Sequence, residues 1–478
     1  MPFSKLGLSL PIVSAVTELG YQTPTSIQEK AIPVILRGEN LLAAAQTGTG
    51  KTASFVLPIL EMLKGGETQR KKRVRALILA PTRELVAQVE KNAEQYAKNL
   101  SLTTMAMYGG KDIAAQKQRL IEGVDILVAT PGRLLDMYAQ RAVHFDEIEI
   151  LVLDEADRML DMGFIEDINK IIERLPVERQ NLLFSATLSD KIRWLAKTAV
   201  PNPVEISTAS SQSKAEIQQW LTTVDKDRKS ALLSHLITEQ QWDQALIFLE
   251  TKHGAAKLVE QLGKRGIAAE SFHSGRSQAV REQLLEDFKA GDLKYLVATG
   301  VASRGIDIEE LTRVVNYDLP FPADDYIHRI GRTGRAGAKG EAITFLSKDD
   351  FKNLCMIESR LGHLIERREI EGFEPRKPVP ISVLNYQPKH QPKNKPKAER
   401  SDKGDTNNQR DGRSNTFSGP LKSRSNDAKR SSGDKRSSGD KRSSGDKRRS
   451  ESKPAARPTR SDSGRSSPWD TVKPRSGR

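Results

Sequence analysis

Between residues 40 and 207 short, almost continuous apolar runs alternate with longer amphipathic stretches. The runs fall at 41–45, 76–80, 126–130, 150–153 and 182–185. Runs this short, without polar alternation, predict strands buried on both faces. The stretches between them, such as 83–98, carry helical spacing. Repeated units of this kind predict a parallel sheet with helices on both sides, and such sheets collect ligands at the carboxyl ends of their strands. The polar stretch at 207–214 breaks the pattern and predicts an interdomain linker. A second series follows, with runs at 245–249, 269–273, 295–299, 314–317 and 342–346. The expected fold class is therefore α/β with two tandem domains, 1–207 and 218–375, joined by 208–217.

Beyond about 375 the periodicity stops, and 429–446 is three copies of KRSSGD. A hexapeptide with one Gly and two Ser has no apolar face to bury, so 376–478 is expected to be disordered. Charge sharpens this division. The chain carries a net +14, but 376–478 holds 28 Lys/Arg against 11 Asp/Glu, while 1–375 holds 48 against 51. The basic excess belongs to the tail, so folded domains that grip a nucleic acid must use placed groups rather than bulk charge. The single cysteine, Cys355, excludes an intramolecular disulfide and a zinc site built from cysteines. It lies in an apolar helical pattern and is expected to be a buried thiol. No uncharged apolar run approaches the ~18 residues of a membrane span. The run at 6–17 is interrupted by Pro11, with only Lys5 ahead of it, and is taken as the start of a folded domain in a cytosolic protein.

Three motifs carry chemistry. Ala45-Gln46-Thr47-Gly48-Thr49-Gly50-Lys51-Thr52 follows an apolar run and precedes a helical pattern. Its glycines allow backbone N–H groups to wrap phosphates, Lys51 neutralises phosphate charge and Thr52 can ligate Mg²⁺. Ala45 stands where the strict pattern has Gly. The second motif, Asp154-Glu155-Ala156-Asp157, ends the run at 150–153, where acidic groups can hold a metal-bound water and orient another for attack. By itself an acidic tetrapeptide is weak; after a buried strand and a phosphate loop it is strong. The third is His328-Arg329-Ile330-Gly331-Arg332-Thr333-Gly334-Arg335, whose guanidinium groups can stabilise charge on a γ-phosphate. The segment 20–28 looks like a loop when read alone, although an amide such as that of Gln28 can pair with adenine and an aromatic can stack on it.

Together these motifs resemble those of the DEAD-box RNA helicases, over roughly residues 1–370. The resemblance implies two RecA-like domains that close on ATP and RNA. It implies that Tyr21 and Gln28 recognise adenine, with Phe3 as the upstream aromatic. Lys51 and Thr52 would bind phosphates and Mg²⁺, Asp154 would hold the metal through water, and Glu155 would position the attacking water. Asp307 would touch the ribose, while Arg332 and Arg335 reach the phosphates. Ser185, Ala186 and Thr187, with Asp157 and His328, would link the nucleotide and RNA sites. Pro81, Thr82, Arg83, Gly109, Gly110, Thr130, Pro131, Gly132 and Arg133 would face RNA from the first domain. From the second, Thr251, Gln278, Arg281, Thr299 and Arg304 match RNA-contacting or supporting positions. Pro81 and Thr82 also read as an ordinary helix start. The sequence departs from the family pattern at Gly300, where an acidic residue is usual, which puts the strength of interdomain coupling in question.

The short lead-in and basic tail look most like the RhlE-type bacterial helicases, which implies ribosome assembly or RNA turnover. The tail would add sequence-independent RNA affinity or dock on an RNA-bound partner such as a ribosomal precursor; a solubilising linker is the plainer reading. Two rival functions are a translocating DNA helicase and a non-catalytic RNA chaperone.

Overall fold

The computed structural model describes residues 2–45, 48–66, 71–208, 217–300, 311–334 and 340–384. The first half builds β1 (Leu41–Ala44), β2 (Ala76–Leu79), β3 (Thr104–Met107), β4 (Ile126–Ala129), β5 (Ile150–Leu153), β6 (Gln180–Ser185) and β7 (Val204–Ser207). These form one parallel sheet in the order β3-β4-β2-β5-β6-β1-β7. The second half builds β8 (Ile217–Thr223), β9 (Ala245–Leu249), β10 (Glu270–Phe272), β11 (Tyr295–Thr299), β12 (Arg313–Asn316), β13 (Gly340–Leu346) and β14 (Glu366–Arg367). They too are all parallel, in the order β10-β11-β9-β12-β13-β8-β14. The chain thus holds two α/β domains, as the alternating pattern predicts.

The central strands are continuous apolar runs because both faces are covered. Every residue of β1, β2, β4, β5, β9 and β11 is buried. On one face of the first sheet Phe55 meets Phe184 with ring centroids 5.1 Å apart. On the other, Leu127, Leu151 and Leu183 pack with Met137, Ile168 and Leu195. Large aliphatic side chains there remove apolar surface from water and fix which loops emerge at the carboxyl ends.

The sequence pattern missed strands chiefly toward the sheet margins. β3 is an edge strand of Thr, Met and Ala, and β7 is an edge whose Glu205 and Ser207 face solvent. Two boundaries need correction. Ile217, placed in the linker, opens β8 and pairs with Gly340, because β8 runs in register along the whole of β13 although Gln218 and Gln219 break its apolar pattern. The tail does not begin at 376: Arg376 pairs with Asp227 at 2.8 Å, and the Ser382 hydroxyl bonds the fully buried Glu358 carboxylate. Arg367 completes that network, donating to Glu358 and to Ser382. A buried carboxylate requires such donors, and periodicity does not register them. Residues 385–478 and the central linker, 209–216, lie outside the described residues. Cys355 is buried, as expected. Among the described residues no helix is long and apolar enough to cross a membrane.

Candidate nucleotide and RNA site

The phosphate loop leaves β1 with Ala45 N donating to Ser185 O at 3.0 Å, which ties it to the end of β6. Gly48 and Gly50 have φ of 81° and 84°, a backbone region costly for residues with a Cβ. A Cβ on Gly50 would also lie 2.4 Å from Gln28 Nε2. Lys51 opens the helix Lys51–Leu63, is only 7% exposed, and its ammonium has no hydrogen-bond partner among the described residues. An orphaned buried cation at a helix N-terminus fits a phosphate. Thr52 follows it, half-buried. Gln46 and Thr47 lie outside the described residues.

The segment at 20–28 is not simply a loop. Thr25 caps the helix Ser26–Leu36, and Gln28, three residues on, completes a capping box. Gln28 Oε1 accepts from Thr25 N at 2.9 Å, and Nε2 donates to Gly50 O at 3.2 Å. The Thr25 hydroxyl donates to Thr49 O at 2.7 Å. The motif therefore braces the phosphate loop directly. Tyr21 is half-exposed and meets Tyr96 edge-on, leaving ring surface open for stacking. Phe3 is corrected: at 4% exposure it belongs to the hydrophobic core, so it acts by packing rather than by touching a base.

Across the sheet, β5 delivers Asp154 and Glu155, 2% and 5% exposed. Glu155 has φ 51°, a left-handed conformation uncommon for a residue with a side chain, of the kind that clusters at functional sites. Burial pushes the Asp154 carboxyl up to about 7; Lys51 opposes this and Glu155 reinforces it. Burial would raise Glu155 as well, but Arg158, then Lys51, Arg332 and His328, outweigh it and hold Glu155 low. Arg158 Nη1 lies 2.9 Å from Glu155 Oε2. Arg332 and His328 come from the second domain, so the structure brings part of the arginine motif to the acidic motif. Arg335 and Asp307 lie outside the described residues. Asp157 Oδ2 accepts from Ala186 N at 3.0 Å, and the Ser185 hydroxyl donates to Thr187 O at 2.7 Å, which joins the acidic turn to the loop after β6.

Gly300, at the end of β11, lies beside Arg329: a Cβ there would be 3.3 Å from Nη2. Without a carboxylate at 300, Arg329 donates to Asp318 O at 2.8 Å and lies over the Phe248 ring at 5.1 Å.

On the other side of the first domain Arg83, Gly109, Gly110 and Arg133 converge. A Cβ on Gly109 would lie 3.5 Å from Arg83 and 3.8 Å from Arg133. Thr82 accepts from Leu85 N at 3.3 Å, so the Pro81–Thr82 helix start is present. Thr130 caps Pro131–Ala139, with Pro131 at its first position and Gly132 exposed. Gln278 and Arg281 need correction as open RNA contacts. Both are buried against the first domain: Arg281 Nη2 lies 2.9 Å from Glu84 Oε1, and Gln278 Nε2 is 3.3 Å from the same oxygen. A buried guanidinium needs a carboxylate, and Glu84 supplies one across the domain boundary. Thr251 accepts from Gly254 N and remains exposed, Thr299 is buried, and Arg304 lies outside the described residues. The sequence reading overlooked Arg158, Glu84 and Arg329 as structural partners. Only Arg158 had a local signal, its i+3 spacing from Glu155.

The raised Asp154 carboxyl makes a prediction about stability without nucleotide. Below its usual 3.8 the group is protonated both folded and unfolded; between there and about 7 the folded form retains a proton that the unfolded chain releases. Stability on this account declines as pH rises through that window. Asp154→Asn cannot ionise, so denaturant unfolding should show the variant gaining on the wild type from about pH 4 to about pH 7 and levelling off above. A difference constant with pH would contradict the shift.

Comparison with known proteins agrees with this geometry. Residues 25–195 match the DEAD/DEAH box helicase family model, and residues 228–337 match the helicase conserved C-terminal domain. The chain is 43% identical to the ATP-dependent RNA helicase CshA of Listeria monocytogenes, over 74% of this chain and 68% of that one. It is 42% identical to the ATP-dependent RNA helicase RhlB of Pseudomonas syringae pv. tomato, over 76% and 93%. Among solved structures, S. cerevisiae Dbp5 bound to RNA and ADP BeF3 superposes with a TM-score of 0.68 at 33% identity, covering 78% of this chain and 95% of that one. Mss116 bound to ssRNA and UDP-BeF gives a TM-score of 0.69 at 29% identity, over 77% and 79%. The chain belongs to the DEAD-box family of ATP-dependent RNA helicases.

Proposed function

We propose that this chain is an RNA-dependent ATPase that separates short RNA duplexes locally, or remodels RNA–protein complexes, by closing two domains on ATP and RNA. The observation that carries this reading is Glu155, whose carboxyl is held below its ordinary value, and so ionised against burial, by Arg158 and Lys51 of its own domain together with Arg332 and His328 of the other. Such a site is electrostatically complete only when the domains meet.

In this reading Lys51 binds the β- and γ-phosphates, Glu155 orients the attacking water, and Arg332 with Arg335 stabilises charge on the transferred group. Tyr21 stacks on the base, and Gln28 links adenine recognition to the phosphate loop through Gly50. Mg²⁺, which neutralises charge on phosphate oxygens, would be held by Thr52 and, through water, by Asp154. Among the described residues no three His, Cys, Asp or Glu side chains cluster as a metal cage, which suits an ion held largely by substrate phosphates and water. RNA would lie along Arg83, Gly109, Gly110 and Arg133, contacted through its backbone and so with little sequence preference. The RNA-bound Dbp5 and Mss116 structures support this side of the reading. We place the chain among the cytoplasmic RhlE-type helicases, in ribosome assembly or RNA turnover.

Turnover measured with matched RNA and DNA tests the core of the proposal. RNA should stimulate ATP hydrolysis more than DNA, and Glu155→Gln should lower kcat by about a hundredfold or more. Wild-type turnover in that variant would refute the role of Glu155. The tail, with 25 Lys/Arg against 11 Asp/Glu in 392–478, would add affinity for RNA of any sequence. Removing 392–478 should weaken RNA binding and flatten its dependence on salt; binding unchanged at low salt would show that the tail does not touch RNA.

A further inference from the structure

Glu282 has no part in the mechanism above. It sits on the second-domain helix Gln278–Ala290, yet its carboxylate reaches the first-domain loop after β3. Oε1 accepts from the Tyr108 hydroxyl at 3.0 Å and lies 3.2 Å from Lys111 Nζ. Gln278 Nε2, one turn back, donates to the same oxygen at 3.2 Å. Tyr108 and Lys111 flank Gly109 and Gly110, so one carboxylate of the second domain grips both ends of the glycine pair.

From its own domain the loop is held differently. Gln116 Nε2 donates to the carbonyls of Tyr108, Lys111 and Asp112 at 3.2 to 3.4 Å. These bonds fix the backbone, whereas Glu282 fixes the two side chains that bracket it. Lys111 also lies over the Tyr108 ring, 5.2 Å from its centroid. Gly110 has φ +95°, and a Cβ there would lie 2.4 Å from Arg83 Nη1, so the loop passes close to Arg83 at a position suited to glycine. Partial burial would raise the Glu282 carboxyl, but hydrogen bonds from Gln278, Lys111 and Tyr108 outweigh it and hold it below its ordinary value. With the Glu282 side chain 36% exposed, the ion pair alone contributes little stability. Its consequence is directional: two first-domain donors, Tyr108 and Lys111, converge on one carboxylate that arrives only with the other domain.

We propose that Glu282 is a positioning residue that sets the Gly109-Gly110 loop for RNA only when the two domains are closed. This rests on the reading of that loop as RNA-facing. When the domains part, Tyr108 and Lys111 lose their shared acceptor and the loop relaxes. Tight RNA binding is then conditional on closure, and linkage requires RNA to favour closure in return. Arg281, next in the chain, joins the domains through Glu84; Glu282 carries that joining into the loop itself.

The test is ATPase activity titrated with RNA for the full-length wild type, Glu282→Gln, Tyr108→Phe and the double variant. Glu282→Gln keeps the size of the side chain and removes its charge. The half-saturating RNA concentration should rise about fivefold, the low end of ordinary coupling factors, while kcat at saturating RNA stays within about twofold. The double variant should be no worse than Glu282→Gln, because both changes break one contact. Unchanged half-saturation in Glu282→Gln, additive effects, or a loss of kcat as large as the rise in half-saturation would each overturn the proposal. Wild-type turnover that RNA does not stimulate at all would overturn the underlying reading of the loop, and this proposal with it.

Discussion

Buried charge at the carboxyl ends of β1 and β5 is the constraint on which the rest depends. Lys51, Asp154, Glu155, Arg158 and Arg332 are each less than a tenth exposed. With Asp157, also buried beside Asp154, three cations thus face three carboxylates, one of which, Asp154, burial drives toward its protonated form. Uncompensated charge in such a place is costly. An anion between Lys51 and Arg332 relieves the positive excess, and a triphosphate has the charge to do so. Because one of the cations arrives from the second domain, the proposed function makes nucleotide binding and domain closure parts of one electrostatic event.

The parallel sheets make this possible. Strands such as β5 are buried on both faces, so the only polar positions available to them lie just past their ends. Ile150–Leu153 therefore leads straight into Asp154, and Leu41–Ala44 into the phosphate loop. That is also why so much was legible beforehand. An apolar run followed by a glycine-rich turn into Gly-Lys-Thr, or at once by Asp-Glu, announces both the strand and the site. Edge strands had no such signature: β3 carries Thr and Met, and β7 alternates toward solvent.

What the sequence did not disclose were relations between distant residues. Nothing near Arg281 points to Glu84, nearly two hundred positions away. Motif reading leaves Arg281 as RNA-contacting or supporting, and packing gives it a buried carboxylate in the other domain. Phe3 looked like part of the nucleotide site and proved to be core, because an aromatic at the start of a chain reads the same in either role. Gln28 was recognised as a base-reading amide but not as a brace on Gly50. In each case the residue was noticed and its partner was not. Gly300 is the converse: a missing carboxylate, beside which Arg329 donates to the Asp318 carbonyl and lies over the Phe248 ring.

The loops read as RNA-facing and the nucleotide site are thus tied across the domains at three places: Glu155 with Arg332 and His328, Glu84 with Arg281, and Glu282 with Tyr108 and Lys111. The central claim is that these ties make the two ligands mutually dependent. The direct measurement is the affinity of the wild-type chain for a short single-stranded RNA, with and without a non-hydrolysable ATP analogue. The account predicts RNA binding at least about fivefold tighter with the analogue, and the same factor for the analogue when RNA is present. Equal RNA affinity in the two conditions would contradict it.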